Sequence, residues 1–160
     1  MTPIHRRPLD LLLVLFFVIS VLYGFLFSLP EGLGASVSAD SPWPPLRALH
    51  WWAVAEEPAH LDPPPNLIAA CLFDGLFQAP VLLFVIVGLV RLRAWLRPLG
   101  LVYAGAATTN MFFYFMQTFA GPYPPPNVAY YLAFNLPWLI APIVLGVRLV
   151  VRRDLIPSGA

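Results

Sequence analysis

The chain has 160 residues, of which 59% are hydrophobic and only 11% charged, and its mean hydropathy is +0.76. Soluble domains carry roughly a quarter charged residues. No charge lies between Asp10 and Glu31 or between Arg97 and Arg148, which excludes a charge-studded soluble globule. At about 20 apolar residues per helical crossing, the length accommodates four spans with short connections but hardly six. The net charge of +1 and the long apolar runs argue against a nucleic-acid partner. Cys71 is the single cysteine, so there is no intrachain disulfide and no cysteine-based metal cage. His5, His50 and His60 lack metal-like spacing, and neither a metal nor a cofactor is expected.

The first expected span is Leu11 to Leu29, closed by Pro30, Glu31 and Gly32. Arg6 and Arg7 precede it and Val37-Ser38-Ala39 resembles a cleavage site. A run of 19 residues nevertheless exceeds the roughly 7–15 of a signal h-region, so a retained span is expected. A connection over 31–65 follows, in which Trp43, Trp51 and Trp52 with Leu46 and Leu49 suggest a short amphipathic segment. Such a segment either anchors at the membrane interface or covers a pocket. Pro63-Pro64-Pro65 sets the start of the second span, Asn66 to Val90, since proline is tolerated in a first helical turn. The third and fourth spans, Leu99 to Phe119 and Asn127 to Val147, are separated by the proline-rich segment 120–126, which cannot continue a helix.

Eight of nine arginines fall at one end of this arrangement: Arg6, Arg7, Arg91, Arg93, Arg97, Arg148, Arg152 and Arg153. The positive-inside rule makes that end cytoplasmic, with both termini inside. The 31–65 connection carries five acids against Arg47 and belongs outside. The expected fold is an all-α membrane protein, a four-transmembrane-helix bundle with a long outer connection between helices 1 and 2. It forms one domain over 8–153 with a short tail over 154–160. Gly105, Ala106 and Ala107 offer small-residue packing within the chain or in a homodimer. A bacterial inner membrane or the endoplasmic reticulum would suit this design.

Asp74 stands inside the second span, about 13 Å from its outer end at 1.5 Å per residue. An ionisable group there costs at least ~2.5 kcal/mol and marks a candidate functional site. Gln78 shares its face, and Pro80 withholds a donor from the Leu76 carbonyl, so a local kink is expected. The third span presents Tyr103, Asn110, Tyr114 and Gln117 along one stripe, and the fourth presents Tyr131, Asn135, Trp138 and Pro142. Span one contributes Ser20, Tyr23 and Phe27. These stripes meet at a similar depth, either to bond helix to helix or to line a pocket walled by aromatic rings.

Four spans, a tryptophan-rich first connection ending in proline, Asp74-Gly-Leu-Phe-Gln78-Ala-Pro80 and Asn135-Leu-Pro-Trp138 together resemble the EXPERA superfamily. It groups the emopamil-binding sterol isomerases with the sigma-2 receptor. The resemblance implies that Asp74 helps form a ligand pocket, that Asn135 and Trp138 line it near a bound cation, and that Glu56 or Glu57 fills the place of an acid in the first connection. The isomerases carry a His and a Glu one turn apart in the first span, where this chain reads Ser20-Val21-Leu22-Tyr23-Gly24. The sigma-2 receptor's first-span aspartate aligns near Ser28. Asp74 is thereby left as the strong proton carrier inside the membrane.

Two functions follow. In the first, an intramembrane pocket formed by Asp74, Gln78, Asn135, Trp138, Tyr103, Asn110, Tyr131 and Glu57 binds a sterol, isoprenoid or cationic amphiphile, with membrane lipid as the surroundings. In the second, Asp74 is a catalytic acid, and the protein is a cofactor-independent isomerase or cyclase acting on a sterol or terpenoid alkene or epoxide. Aromatic ring faces would then stabilise a carbocation.

Overall fold

The computed structural model describes residues 3–151; the expected 154–160 tail, with Arg152 and Arg153, lies outside the described residues. Among the described residues every regular element is helical. We label the principal helices α1 (Pro8–Gly32), α2 (Pro44–Ala55), α3 (Pro65–Arg91), α4 (Leu96–Ala120) and α5 (Val128–Val151). Proline occupies the first turn of α1, α2 and α3, where its missing N–H costs nothing. Asn127 opens α5 by accepting the backbone N–H of Tyr130 at 3.1 Å, a side-chain N-cap.

Three helices, α1, α3 and α5, are long and apolar enough to cross a membrane. α4 has the length, 25 residues, but Thr108, Thr109, Asn110 and Gln117 dilute its apolarity. Leu12, Leu22, Leu76, Phe84, Phe113 and Val147 are all more than half exposed, an outer surface suited to lipid rather than water.

α1 pairs with α3 and α4 with α5. Two wide turns mark the first pair. Over Gly24–Ser28 and Asp74–Gln78 the hydrogen bonds lengthen to the π pattern, Leu29 N–H reaching the Gly24 carbonyl and Ala79 N–H the Asp74 carbonyl. Pro30 and Pro80 each follow one residue later. A proline ring crowds the carbonyl four residues back and has no N–H to offer it, and an extra residue in the preceding turn relieves that crowding. The kink expected at Pro80 therefore takes the form of a wide turn, and α1 repeats it. At Pro30 the Leu26 carbonyl finds a replacement donor, Trp43 Nε1, at 2.7 Å.

Close approach of α1 and α3 depends on glycine. A Cβ on Gly75 would lie 2.6 Å from Leu29 Cβ and 2.8 Å from Leu29 Cα, and one on Gly24 2.8 Å from Ala79 Cβ. The apolar core beneath includes Leu13, Phe17, Leu82, Val85, Leu89, Tyr103 and Leu145. At the arginine end, Asp10 is 1% exposed and paired with both Arg7, at 2.8 Å, and Arg148. Arg7 also donates to the Leu89 and Val90 carbonyls at 2.9 and 3.1 Å, closing the C-terminal turn of α3. One carboxylate thus ties α1, α3 and α5. Of the three small residues in α4, Ala107 is buried within the chain, while a Cβ on Gly105 would meet only open space.

Gly75→Val forces a side chain onto the α1 backbone and is expected to cost about 1–3 kcal/mol. Gly105→Ala, where nothing lies nearby, should be neutral or mildly stabilising. Thermal unfolding of the two variants in one detergent measures the contrast.

Candidate functional site

Beside the two wide turns, a cavity of about 400 Å³ lies between the four long helices. Its lining on α1 runs from Phe16 to Ser28, about 18 Å at 1.5 Å per residue. The walls are largely apolar and aromatic. Trp138 packs against Phe16 and Tyr23 with ring centroids 4.9 and 5.3 Å apart, and Tyr23 stacks on Phe27 at 5.0 Å. Ala48, Leu49 and Trp52 of α2 close the end away from the arginines.

α2 serves both roles that its sequence left open. Leu46, Leu49 and Ala53 are buried against Phe27 and Val37, and Trp52 faces the cavity with its ring 4.5 Å from that of Phe134. Trp51 points outward at 71% exposure, as an interfacial anchor does.

Seven of the eight side chains expected to form a site line this cavity: Asp74, Gln78, Tyr103, Asn110, Asn135, Trp138 and Glu57. Tyr131 stands behind the wall, fully buried, its hydroxyl 3.0 Å from Thr118 Oγ1. Asn135 donates to the Tyr131 carbonyl at 3.1 Å. Tyr114 also reaches the cavity, whereas Gln117 on the same stripe does not. Asp74 sits at mid-length, where Ser28 Oγ donates to Oδ2 at 2.6 Å. Among the described residues no cation pairs with it.

Asp74 is not the only acid buried in the bundle. Glu31, Glu57 and His60 form a second polar centre at the covered end, with side chains 2–6% exposed. His60 Nδ1 lies 2.7 Å from Glu31 Oε1, and Nε2 lies 3.6 Å from Glu57 Oε2. Trp52 Nε1 donates to Glu57 at 2.9 Å, and the Tyr114 hydroxyl donates to the same carboxylate. Cys71 Sγ donates to Glu31 Oε2 at 3.6 Å. The physical reason is that the 31–65 connection folds back over the mouth of the bundle, which brings Glu57 and His60 to Glu31. Glu57 and His60 are three residues apart around one short turn, Pro58–His60. That spacing was readable; burial against Glu31 was not, because it joins residues 29 apart.

Burial opposes the charge on His60, but the hydrogen bonds and charges of Glu31 and Glu57 outweigh it and hold the imidazole up at about 10. Burial likewise pushes the Glu57 carboxyl up, and the hydrogen bond and charge of His60, with hydrogen bonds from Tyr114 and Trp52, bring it below its usual range. The centre is therefore an imidazolium between two carboxylates, with every carboxylate oxygen accepting a hydrogen bond.

Residues 44–149 match the sequence model of the EBP family, EXPERA (EXPanded EBP superfamily). The match covers α2 to nearly the end of α5 and includes Glu57, His60, Asp74, Asn135 and Trp138. No curated protein matches the chain.

Since His60 is raised from 6.5 to about 10, its contribution to stability is whole below pH 6.5 and declines as pH rises towards 10. The lowered Glu57 contributes above its ordinary 4.5 and loses that contribution as pH falls below it. The melting temperature should thus fall between pH 6.5 and 10. In His60→Gln that slope should flatten, with about 3–5 kcal/mol lost near neutrality because two buried carboxylates lose their cation. Melting curves across that pH range check both.

Proposed function

The chain belongs to the EXPERA superfamily, and from that premise we propose an integral membrane protein that binds a sterol, isoprenoid or cationic amphiphile in the cavity between its long helices. α1, α3, α4 and α5 serve as the four spans in this reading, with Tyr103, Asn110 and Tyr114 of α4 turned to the cavity. The arginine end faces the cytoplasm. A single domain over 8–153 carries the function.

One observation carries the proposal. An aromatic-walled cavity of about 400 Å³, within the ~300–1,000 Å³ of small-molecule sites, contains a carboxylate to which the described residues offer one hydrogen bond and no counter-charge. Glu31, Glu57 and Asp74 against His60 leave the interior with an excess of negative charge, which complements a positive centre on the ligand. The flat walls of Trp138, Tyr23 and Phe16 suit a rigid apolar body. Asp74 pairs with the positive centre or accepts a hydroxyl proton, and Gln78, Asn110 and Asn135 fix the orientation.

The ring faces around Asp74 favour a second reading, an isomerase or cyclase without cofactor. Asp74 would protonate an alkene or epoxide and Tyr103 or Trp138 would stabilise the resulting carbocation.

Asp74→Asn separates the two. For a binding protein, affinity for a cationic amphiphile should fall about tenfold or more while a neutral sterol binds nearly as before. For an enzyme, turnover should vanish while affinity for the apolar substrate is retained. If the substitution alters neither binding nor turnover, both assignments of Asp74 are wrong. Mass spectrometry of lipids that co-purify with the wild-type protein identifies the ligand class directly.

A further inference from the structure

The two polar centres of the cavity differ in how completely the protein satisfies them. At the covered end, Glu57 accepts from Trp52 and Tyr114 and lies 3.6 Å from His60, and Glu31 accepts from His60 and Cys71. Each carboxylate oxygen there already accepts a hydrogen bond from the protein, and both carboxylates face the same imidazole. At mid-length, Asp74 has Ser28 alone among the described residues. His60 itself lines the cavity together with Glu57, so the imidazolium occupies a position that a bound cation could otherwise reach.

We propose that His60 is a resident cation that sets the charge selectivity of the cavity: by filling the place between Glu31 and Glu57, it reserves Asp74 as the one docking position for a ligand's positive centre. This rests on the binding reading given above and adds to it where the charge must sit along the ligand. A fitting ligand carries one positive centre part-way along a rigid apolar body and a neutral end beneath α2. A second cationic group at the α2 end would meet an imidazolium in a site of low dielectric, where like charges repel strongly.

The groups facing His60 are Glu31 from α1, Glu57 from its own turn and Tyr114 from α4, with Cys71 of α3 on the far side of Glu31. Two of these are anions and none is a competing cation. The ring therefore remains positive while both carboxylates are ionised, in keeping with its raised affinity for the proton.

The test measures charge preference with two probes of matching shape, a trimethylammonium aryl-alkyl ether and its tert-butyl isostere, on the full chain in detergent. Preference is the ratio of their dissociation constants. Wild type should favour the cation, and Asp74→Asn should abolish that preference; if wild type shows none, the binding reading fails. His60→Gln should raise the preference about tenfold or more. In His60→Gln/Asp74→Asn the preference should return, now supplied by Glu31 and Glu57. A folded double variant that still ignores charge overturns the proposal, whatever Asp74→Asn alone has shown. Should the loss of His60 prevent folding, Glu31→Gln added to His60→Gln leaves one buried carboxylate, and cation preference in the Asp74→Asn background should still return. Nitrogen-15 shifts of labelled histidine in the wild-type protein supply a reading without substitution. Both His60 ring nitrogens should be protonated at pH 8, and a neutral ring there also overturns the proposal.

Discussion

Two prolines at matching points of two packed helices set the shape of this molecule. Pro30 in α1 and Pro80 in α3 each follow a wide turn, and the two turns lie against one another across Gly24, Gly75 and the Ser28–Asp74 hydrogen bond. Wide turns re-aim the side chains that follow them. Below the turns the helices share one apolar core with Leu82, Val85 and Leu89, and the cavity lies alongside both turns, with Ser28, Asp74 and Gln78 in its lining. The carboxylate of Asp74 is placed by the same distortion, being the first residue of its turn.

Charge is then distributed in three layers. At the arginine end Asp10 is clasped by Arg7 and Arg148 and holds helices together. At the covered end His60 is clasped by Glu31 and Glu57 and holds the 31–65 connection over the mouth. A charge taken out of water is tolerated when paired and hydrogen-bonded, and both outer layers meet that condition within the protein. Asp74, between them, meets it only in part. This unevenness, more than the presence of an intramembrane acid by itself, separates the structural charges from the one left open to the cavity.

Much of this was legible in the chain because membrane helices announce themselves locally. Apolar runs, proline-rich breaks and the positions of the arginines gave helices within a few residues of α1, α3, α4 and α5, and Asp74 with Gln78, Asn135 and Trp138 could be placed on facing stripes by helical spacing alone. What stayed hidden was non-local. Glu31 reads as a residue closing a helix and His60 as an isolated histidine in a loop; only the fold brings them to 2.7 Å. The wide turn in α1 is masked too, although Gly24-Phe25-Leu26-Phe27-Ser28-Leu29-Pro30 parallels Asp74-Gly75-Leu76-Phe77-Gln78-Ala79-Pro80, because proline near a helix end reads first as a stop.

The hydrogen bond from Trp43 to the Leu26 carbonyl links the cover to the membrane around it. Pro30 cannot serve that carbonyl, so any movement of the Trp43 end of α2 away from α1 strips it of its donor. Water can replace the indole where the interface is hydrated, but hydrocarbon offers nothing in exchange. A bilayer that is thick relative to α1 draws the carbonyl into the apolar layer, and a thin one leaves it among headgroups and water. The grip of the cover on the cavity is thus a joint property of the protein and of the thickness of the lipid in which it sits.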